Sequence, residues 1–401
     1  MSKSSGRTAA AVEFSAQRLI FLAAVGAVPG LLWDISGADP IGPLFSISLV
    51  AAVAIGRNAS ERLASALGYY ASGSWPIIGA IAGYWGSLHP WVGAAAWAAC
   101  TVALASPWAL AASWTGLLFA LAVTALPPIG VIGWLSPINA AGMLFPGMGW
   151  LGLMLWLIFA IALHAFVSAR SDIGRSGALT SLARSHLPLF LPIIAAAHLM
   201  AAATKPPTGW VGVQTHILPS GGNILAAIQD NQDVIQSGLH QGNGARVVVF
   251  PEAILENWLP GTRQQFGQAV SGQIWLIGAQ ASMRDAVVVA TRGHAASRPV
   301  TVAAGLLLGG DWQPWSANTL RPIWLQRTFT LDGKRVWASL CVEQVQPWTW
   351  LEAMWQRPDV VLAMSNDWWA AEDNAAPGIQ DASTKAWARL MGVPVVWAVN
   401  R

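Results

Sequence analysis

Two short segments in the second half of this 401-residue chain place reactive groups where strands should end. Arg246-Val-Val-Val-Phe250 is an apolar, β-branched run that closes on Pro251 and the carboxylate of Glu252. Val336-Trp-Ala-Ser-Leu340 closes in the same way on the thiol of Cys341, with a second carboxylate, Glu343, two residues on. A group at a strand end is held by a rigid scaffold yet stays open to a cleft. A thiol becomes a good nucleophile only when a base or a cation favours its thiolate. A carboxyl raised in pKa by burial can take that proton. Their order, spacing and shared strand-end setting make Cys341 and Glu252 a candidate thiol and carboxyl pair. Each motif also has a plainer reading, since a lone buried cysteine is usually structural and Pro-Glu is commonly a turn.

The elements that must position these groups alternate between strands and helices. Trp210–His216, Arg246–Phe250, Gln273–Ser282 and Ala286–Thr291 read as strands, as do Arg327–Leu331 and Arg335–Cys341 around the Asp332-Gly333 turn. Val360–Met364 and Pro394–Val399 complete the strands. Helical patterns cover Asn223–Leu239, Trp348–Gln356 and Asp381–Met391. This is an α/β domain with mixed strand pairing, expected over residues 206–401.

Residues 1–205 read differently. The chain is 54% hydrophobic and only 10% charged, and from Leu63 to Ala169 it contains no Asp, Glu, Lys or Arg. From Pro206 onward there are 13 basic and 14 acidic residues, an ordinary soluble balance. A polytopic α-helical membrane domain is therefore expected ahead of the α/β domain. A span needs about 20 mostly apolar residues. Seven such runs are read, at 17–33, 41–56, 63–85, 90–111, 113–133, 146–168 and 186–203, the fifth interrupted by Pro127-Pro128 and Gly130. The first is expected to be an uncleaved anchor, because no small-residue cleavage site follows it.

Lys3, Arg7 and Arg18 precede the first run, Arg57 and Arg62 follow the second, and Arg170, Arg175 and Arg184 follow the sixth. The alternate loops Asp34–Pro40, Gly86–His89 and Ser136–Phe145 hold no Lys or Arg. Because positive loops stay in the cytoplasm, this pattern predicts a multi-pass protein of the bacterial inner membrane with a cytoplasmic N-terminus and a periplasmic C-terminal domain. The basic excess lies in the membrane half, so direct nucleic-acid binding is not expected.

No cofactor or metal site is expected. Gly147-Met-Gly-Trp-Leu-Gly152 matches a dinucleotide fingerprint by letter, but it opens a membrane helix and follows no strand, so close helix packing explains it better. His89, His164 and His198 lie in or beside the apolar runs and read as packing or capping residues. Two cysteines, one in each half, exclude a disulfide framework.

The C-terminal half resembles the nitrilase (carbon–nitrogen hydrolase) superfamily, whose fold is an α-β-β-α sandwich with a Glu–Lys–Cys triad. On that resemblance Glu252 in Phe-Pro-Glu matches the general base, Cys341 in Leu-Cys-Val-Glu the nucleophile, and Glu343 the acidic residue beyond it. Ser365-Asn366-Asp367-Trp368-Trp369 resembles a segment of the apolipoprotein N-acyltransferase branch, membrane proteins with a periplasmic nitrilase domain after seven spans. Gly68–Trp75 and the region from Pro128 to Gly147 look like that branch's third span and its fifth-to-sixth region.

Trp312-Gln-Pro-Trp315, Cys341-Val-Glu-Gln344 and Asn366-Asp-Trp-Trp369 are most similar to the conjugal-transfer offshoot of the TraB type. The resemblance implies a membrane lipid or a lipidated or peptide substrate, conjugation-apparatus partners, and substrate contacts at Glu343, Asn366, Trp368 and Trp369. It also exposes two departures. The family's lysine segment is replaced by Ala296-Ser-Arg298-Pro, leaving Arg298 as the cation nearest by position, and the domain is shortened, ending at Arg401. Arg is not a conservative substitute for Lys, so a catalytically silent membrane factor is the alternative expectation. The tryptophans at 312, 315, 324, 348, 350, 355, 368 and 369 suit a lipid-facing site or a Trp-rich core equally.

Overall fold

The computed structural model describes residues 3–86, 90–171 and 187–401. It divides into two compact units, Met1–Ala201 with Ala371–Leu390, and Ala202–Ala370 with Met391–Arg401. His89, Arg175 and Arg184 lie outside the described residues.

In the first unit three helices are long and apolar enough to cross a membrane, Ser15–Ser36, Trp91–Leu110 and Gly149–Arg170. These coincide with the first, fourth and sixth expected runs. The other four fall on shorter apolar helices: Ile41–Ala54, Pro76–Trp85, Trp114–Ala125 and Leu187–Met200. The reasons are local. The run 63–85 is broken into Ala59–Gly73 and Pro76–Trp85, because Pro76 cannot donate to the preceding turn. Trp114–Ala125 stops just before the cis Pro127-Pro128 bond. Its 12 residues reach about 18 Å, well short of the roughly 30 Å hydrocarbon core.

Glycines set the close packing inside this unit. A Cβ on Gly26 would lie 1.9 Å from the Ser65 carbonyl oxygen, and one on Gly68 would lie 1.9 Å from that of Ala23. The helices Lys3–Ser36 and Ala59–Gly73 therefore approach backbone to backbone. The helix Ala376–Met391 belongs almost wholly to this unit, although it lies late in the chain. A Cβ on Gly142 would lie 1.8 Å from the Ala386 carbonyl oxygen. Gly147 N–H donates to the Arg389 carbonyl at 2.8 Å. Two histidines of the apolar runs bond backbone carbonyls, His164 to Ala111 and His198 to Met143, both at 2.9 Å.

The second unit holds two mixed sheets. One contains β1 (Trp210–Gly212), β3 (Val247–Val249), β4 (Ile274–Ala281), β5 (Arg284–Thr291) and β6 (His294–Ala295) in that order, with β7 (Thr301–Val302) also paired to β5. The other runs β2 (Gln214–Thr215), β11 (Val395–Asn400), β10 (Val360–Asn366), β9 (Lys334–Leu340), β8 (Phe329–Leu331). The single strand expected over Trp210–His216 is divided at Val213 between the two sheets. Gly212 sits at the crossing, where a Cβ would lie 1.8 Å from the Trp397 carbonyl oxygen.

Strand periodicity builds two cores. Val247, Val249, Leu276 and Val287 of the first sheet share one cluster with Val336, Ala338, Leu340, Leu362, Met364 and Ala398 of the second. Their alternates Val248, Trp275, Ile277 and Val288 pack instead with Val234, Ile235 and Phe266 of the helices Ile224–Gln241 and Pro260–Ala269. A residue shift of one position exchanges the faces of a strand, so this alternation pins the register. The helix Pro260–Ala269 has no counterpart in the sequence reading, its pattern being largely polar.

Candidate active site

Parallel pairing brings the reactive residues to one sheet edge. β9 and β10 pair with Leu340 opposite Met364, and β10 and β11 pair with Asn366 opposite Asn400. Cys341, Asp367 and Arg401 are therefore the residues next after the last paired positions of three adjacent strands. Cys341 has φ 41°, in the left-handed region that costs a non-glycine residue free energy and recurs at functional sites. It opens the short turn Cys341–Val345.

The turn is held by Glu343. This side chain is fully buried; its Oε1 accepts from Ala304 N (2.5 Å) and Gly305 N (3.0 Å), and its Oε2 from Leu340 N (2.8 Å). Burial raises Glu343 to about 8 against the pull of those three donors. Glu343, expected at the substrate, thus spends both oxygens on backbone and clamps the thiol turn to the segment after β7. Around it, Gln344 donates to Ser365 Oγ at 2.9 Å, and Trp350 donates to the Gln344 carbonyl at 3.0 Å.

Glu252 reaches the site from β3 of the facing sheet. Ala253, next to it, also has a left-handed φ of 42°. The close approach depends on Gly278 of β4, where a Cβ would lie 2.1 Å from the Pro251 carbonyl oxygen and 2.6 Å from Glu252 Cα. Cys341 and Glu252 are each partly accessible, as a reacting pair must be. Burial, then the negative charges of Asp285, Asp311 and Asp367, push Glu252 well above the usual carboxylate range. Burial takes Asp285 up to about 7, the neighbouring Glu252 carboxyl partly opposing it. The Cys341 thiol is pushed well up by burial first, then by Glu252, Asp367, Asp311 and Asp285. The charge of Glu252 thus acts on the Cys341 thiol, and so do those of three acidic residues that the sequence did not single out as site residues.

The remaining expected residues divide. Asn366 Oδ1 accepts from Asn400 Nδ2 at 2.7 Å, and Asn400 Oδ1 accepts from Thr215 Oγ1 and Ile217 N, both at 2.8 Å, so Asn366 belongs to a polar tie between strand ends. Trp368 and Trp369 follow Asp367 in a turn and are half-buried. Arg298 is exposed in the bend between β6 and β7, and the groups that act on the Cys341 thiol are carboxylates. Of the two late lysines, Lys334 starts β9 at the hairpin turn and Lys385 Nζ donates to the Ala38 carbonyl at 2.9 Å within the first unit. Among the described residues, a cation does pair with one of the acidic residues: Arg401 Nε lies 3.7 Å from Asp367 Oδ2.

The tryptophans divide between core and surface. Trp350 and Trp348 are buried, while Trp312, Trp324 and Trp348 form a chain of ring contacts with centroids 5.7 and 5.9 Å apart. Trp315 and Trp355 are more than 70% exposed. Asp285 and Asp311 carried no sequence signal, since each lies beside a turn in an unremarkable local pattern.

No protein-family model matches the chain. Among characterised sequences, it is 28% identical over 298 residues to a protein of Sinorhizobium fredii described as a probable conjugal transfer protein TraB, covering 71% of this chain and 72% of that one. It is 30% identical over 314 residues to the conjugal transfer protein TraB of Agrobacterium fabrum, covering 71% of this chain and 66% of the relative. Across more than two thirds of its length, then, this chain is similar to conjugal transfer proteins of the TraB kind.

Proposed function

We propose that this is a multi-pass inner-membrane protein of plasmid conjugal transfer whose C-terminal unit is a nitrilase-type domain carrying a thiol site for acyl or amide transfer on the extracytoplasmic side. The reading is supported by the left-handed backbone of Cys341 at a strand end, together with the charge of Glu252 acting on its thiol. The similarity to conjugal transfer proteins supports the biological setting, with components of the conjugation apparatus as partners. Three helices able to cross a bilayer support the membrane setting.

In this reading Cys341 Sγ attacks the carbonyl carbon of an ester or amide in a membrane lipid or a lipidated or peptide substrate. The thiol proton passes to the Glu252–Asp285 carboxyl pair. That pair lies near neutrality on the Asp285 side, where a base works best. Collapse of the tetrahedral adduct expels the alcohol or amine, which takes the proton back, and leaves a thioester. An acceptor amine or water then releases the acyl group and regenerates the thiol.

A second reading, a catalytically silent membrane factor that assists assembly of the transfer apparatus, is favoured by one observation. Burial, and then the acidic residues around it, push the Cys341 thiol up, the opposite of what a resting nucleophile needs. Incubating membranes that contain the full chain with an acyl-ester probe, followed by mass analysis of the Cys341 peptide, separates the two. An acyl adduct on the wild type that is absent from Cys341→Ser, with plasmid transfer lost in the same variant, supports the enzyme. Normal transfer by Cys341→Ser with no adduct on the wild type establishes the silent factor.

A further inference from the structure

The register of the second sheet sets a cation where the sequence places none. Arg401 follows β11 level with Asp367 after β10, and Cys341 follows β9 on the other flank of β10, level with Ser365 two residues earlier, so all three lie at the same end of adjacent parallel strands. Arg401 is anchored there by its backbone. Its N–H donates to the Thr215 carbonyl at 2.9 Å, and its own carbonyl accepts from His216 Nδ1 at 2.6 Å. Asp367 is anchored too, its N–H donating to the Asn400 carbonyl at 2.7 Å. The guanidinium Nε lies 3.7 Å from Asp367 Oδ2, a carboxylate that is almost wholly buried.

We propose that Arg401, through its ion pair with Asp367, is the positioning cation of the Cys341 site and offsets the negative field at the thiol that Arg298, exposed on its bend, does not reach. This rests on the reading of Cys341 as the reactive thiol. The charged groups that act on that thiol are Glu252, Asp285 and Asp311 from the first sheet and its following segment and Asp367 from the second, and Arg401 is paired with the last of them. Glu343 adds a carboxyl occupied by three backbone donors, and His216 faces the Arg401 carbonyl. Four acidic groups act on the thiol directly. A cation that neutralises one of them lowers the thiol pKa without touching sulfur, and a change of one pKa unit alters the thiolate fraction about tenfold below the pKa.

The test is the rate of iodoacetamide alkylation of Cys341 against pH, in the full chain in detergent and in a Cys100→Ser background. That background makes Cys341 the sole thiol, since the sequence holds two cysteines. Arg401→Ala should slow alkylation about tenfold near pH 8 and move the profile upward by about one unit. Arg401→Lys should restore most of it, and Arg298→Ala should leave it unchanged. Asp367→Asn should speed alkylation, and combining it with Arg401→Ala should bring the rate back toward the wild type. A purely structural role for Arg401 would not produce shifts of opposite sign in the two single variants.

Alkylation needs no turnover, so the profile reports on Arg401 even if no thioester ever forms and the enzymatic reading fails. If Arg401→Ala proves unfolded, Arg401→Lys and Asp367→Asn still decide, because only the second should raise the rate. An unchanged profile in folded Arg401→Ala, no acceleration in Asp367→Asn, or a loss in Arg298→Ala equal to that in Arg401→Ala overturns the proposal.

Discussion

Replacing Glu343 tests how the thiol turn is held. Its carboxyl oxygens accept from three buried backbone donors, on Ala304, Gly305 and Leu340. A buried donor left without a partner costs about 1–3 kcal/mol, so Glu343→Ala should destabilise the second unit by roughly 3–9 kcal/mol. Against a typical domain stability of about 5–15 kcal/mol, this brings the unit close to unfolding. Glu343→Gln keeps one acceptor oxygen for Ala304 and Gly305 but turns an amide toward the Leu340 N–H, so it should lose about 1–3 kcal/mol at pH 5.

The pH dependence then has a definite sign. Folded Glu343 holds its proton up to about pH 8, whereas the unfolded side chain releases it near 4.5. The folded state therefore binds more protons in this window. The stabilisation is fully present below about pH 4.5 and is lost as pH rises through about 8. At about 1.36 kcal/mol per unit, the wild type should lose on the order of 5 kcal/mol that Glu343→Gln does not lose. The variant should be the less stable protein at pH 5 and match or exceed the wild type by pH 8.5. Urea titration of the full chain in detergent, read by pulse proteolysis of the second unit, measures both. A constant deficit for Glu343→Gln from pH 5 to 8.5, or a Glu343→Ala protein as stable as the wild type, would refute the reasoning.

Two further outcomes are expected. Gly68→Ala should lower the thermal midpoint of the detergent-solubilised protein by forcing apart two helix backbones, since its Cβ would lie 1.9 Å from the Ala23 carbonyl oxygen. Overpacking of this kind costs about 1–3 kcal/mol, while Gly261→Ala, whose methyl meets open space, should change little. Alkaline phosphatase fused after residue 220 should be active in cells and inactive when fused after Arg62. The reverse pattern would overturn the orientation read from the Arg-bearing loops.

The sequence by itself determined what depends on local pattern. A charge-free stretch from Leu63 to Ala169 can only be buried in protein or lipid, and the apolar alternation from Val247 to Val249 can only be a strand with two covered faces. The strand ends bearing Glu252 and Cys341 were legible for the same reason. Tertiary structure decided what depends on registers and on close approach between distant segments. Asp285, Asp311 and Asp367 became neighbours of Cys341 only when strands from two sheets brought their ends together, and no spacing in the chain encodes that.

Sequence position singles out Arg298 as the nearest cation, whereas the pairing of Arg401 with Asp367 follows from the parallel register of β10 and β11, which no local pattern announces. Glu343 read as a substrate contact because the sequence shows a carboxylate near a thiol and cannot show the three backbone donors that occupy it. Helix length was misjudged where hydropathy continued across a backbone break. Pro76 and the Pro127-Pro128 pair leave apolarity intact while ending the hydrogen-bonded helix, so composition alone overstated the length of those runs.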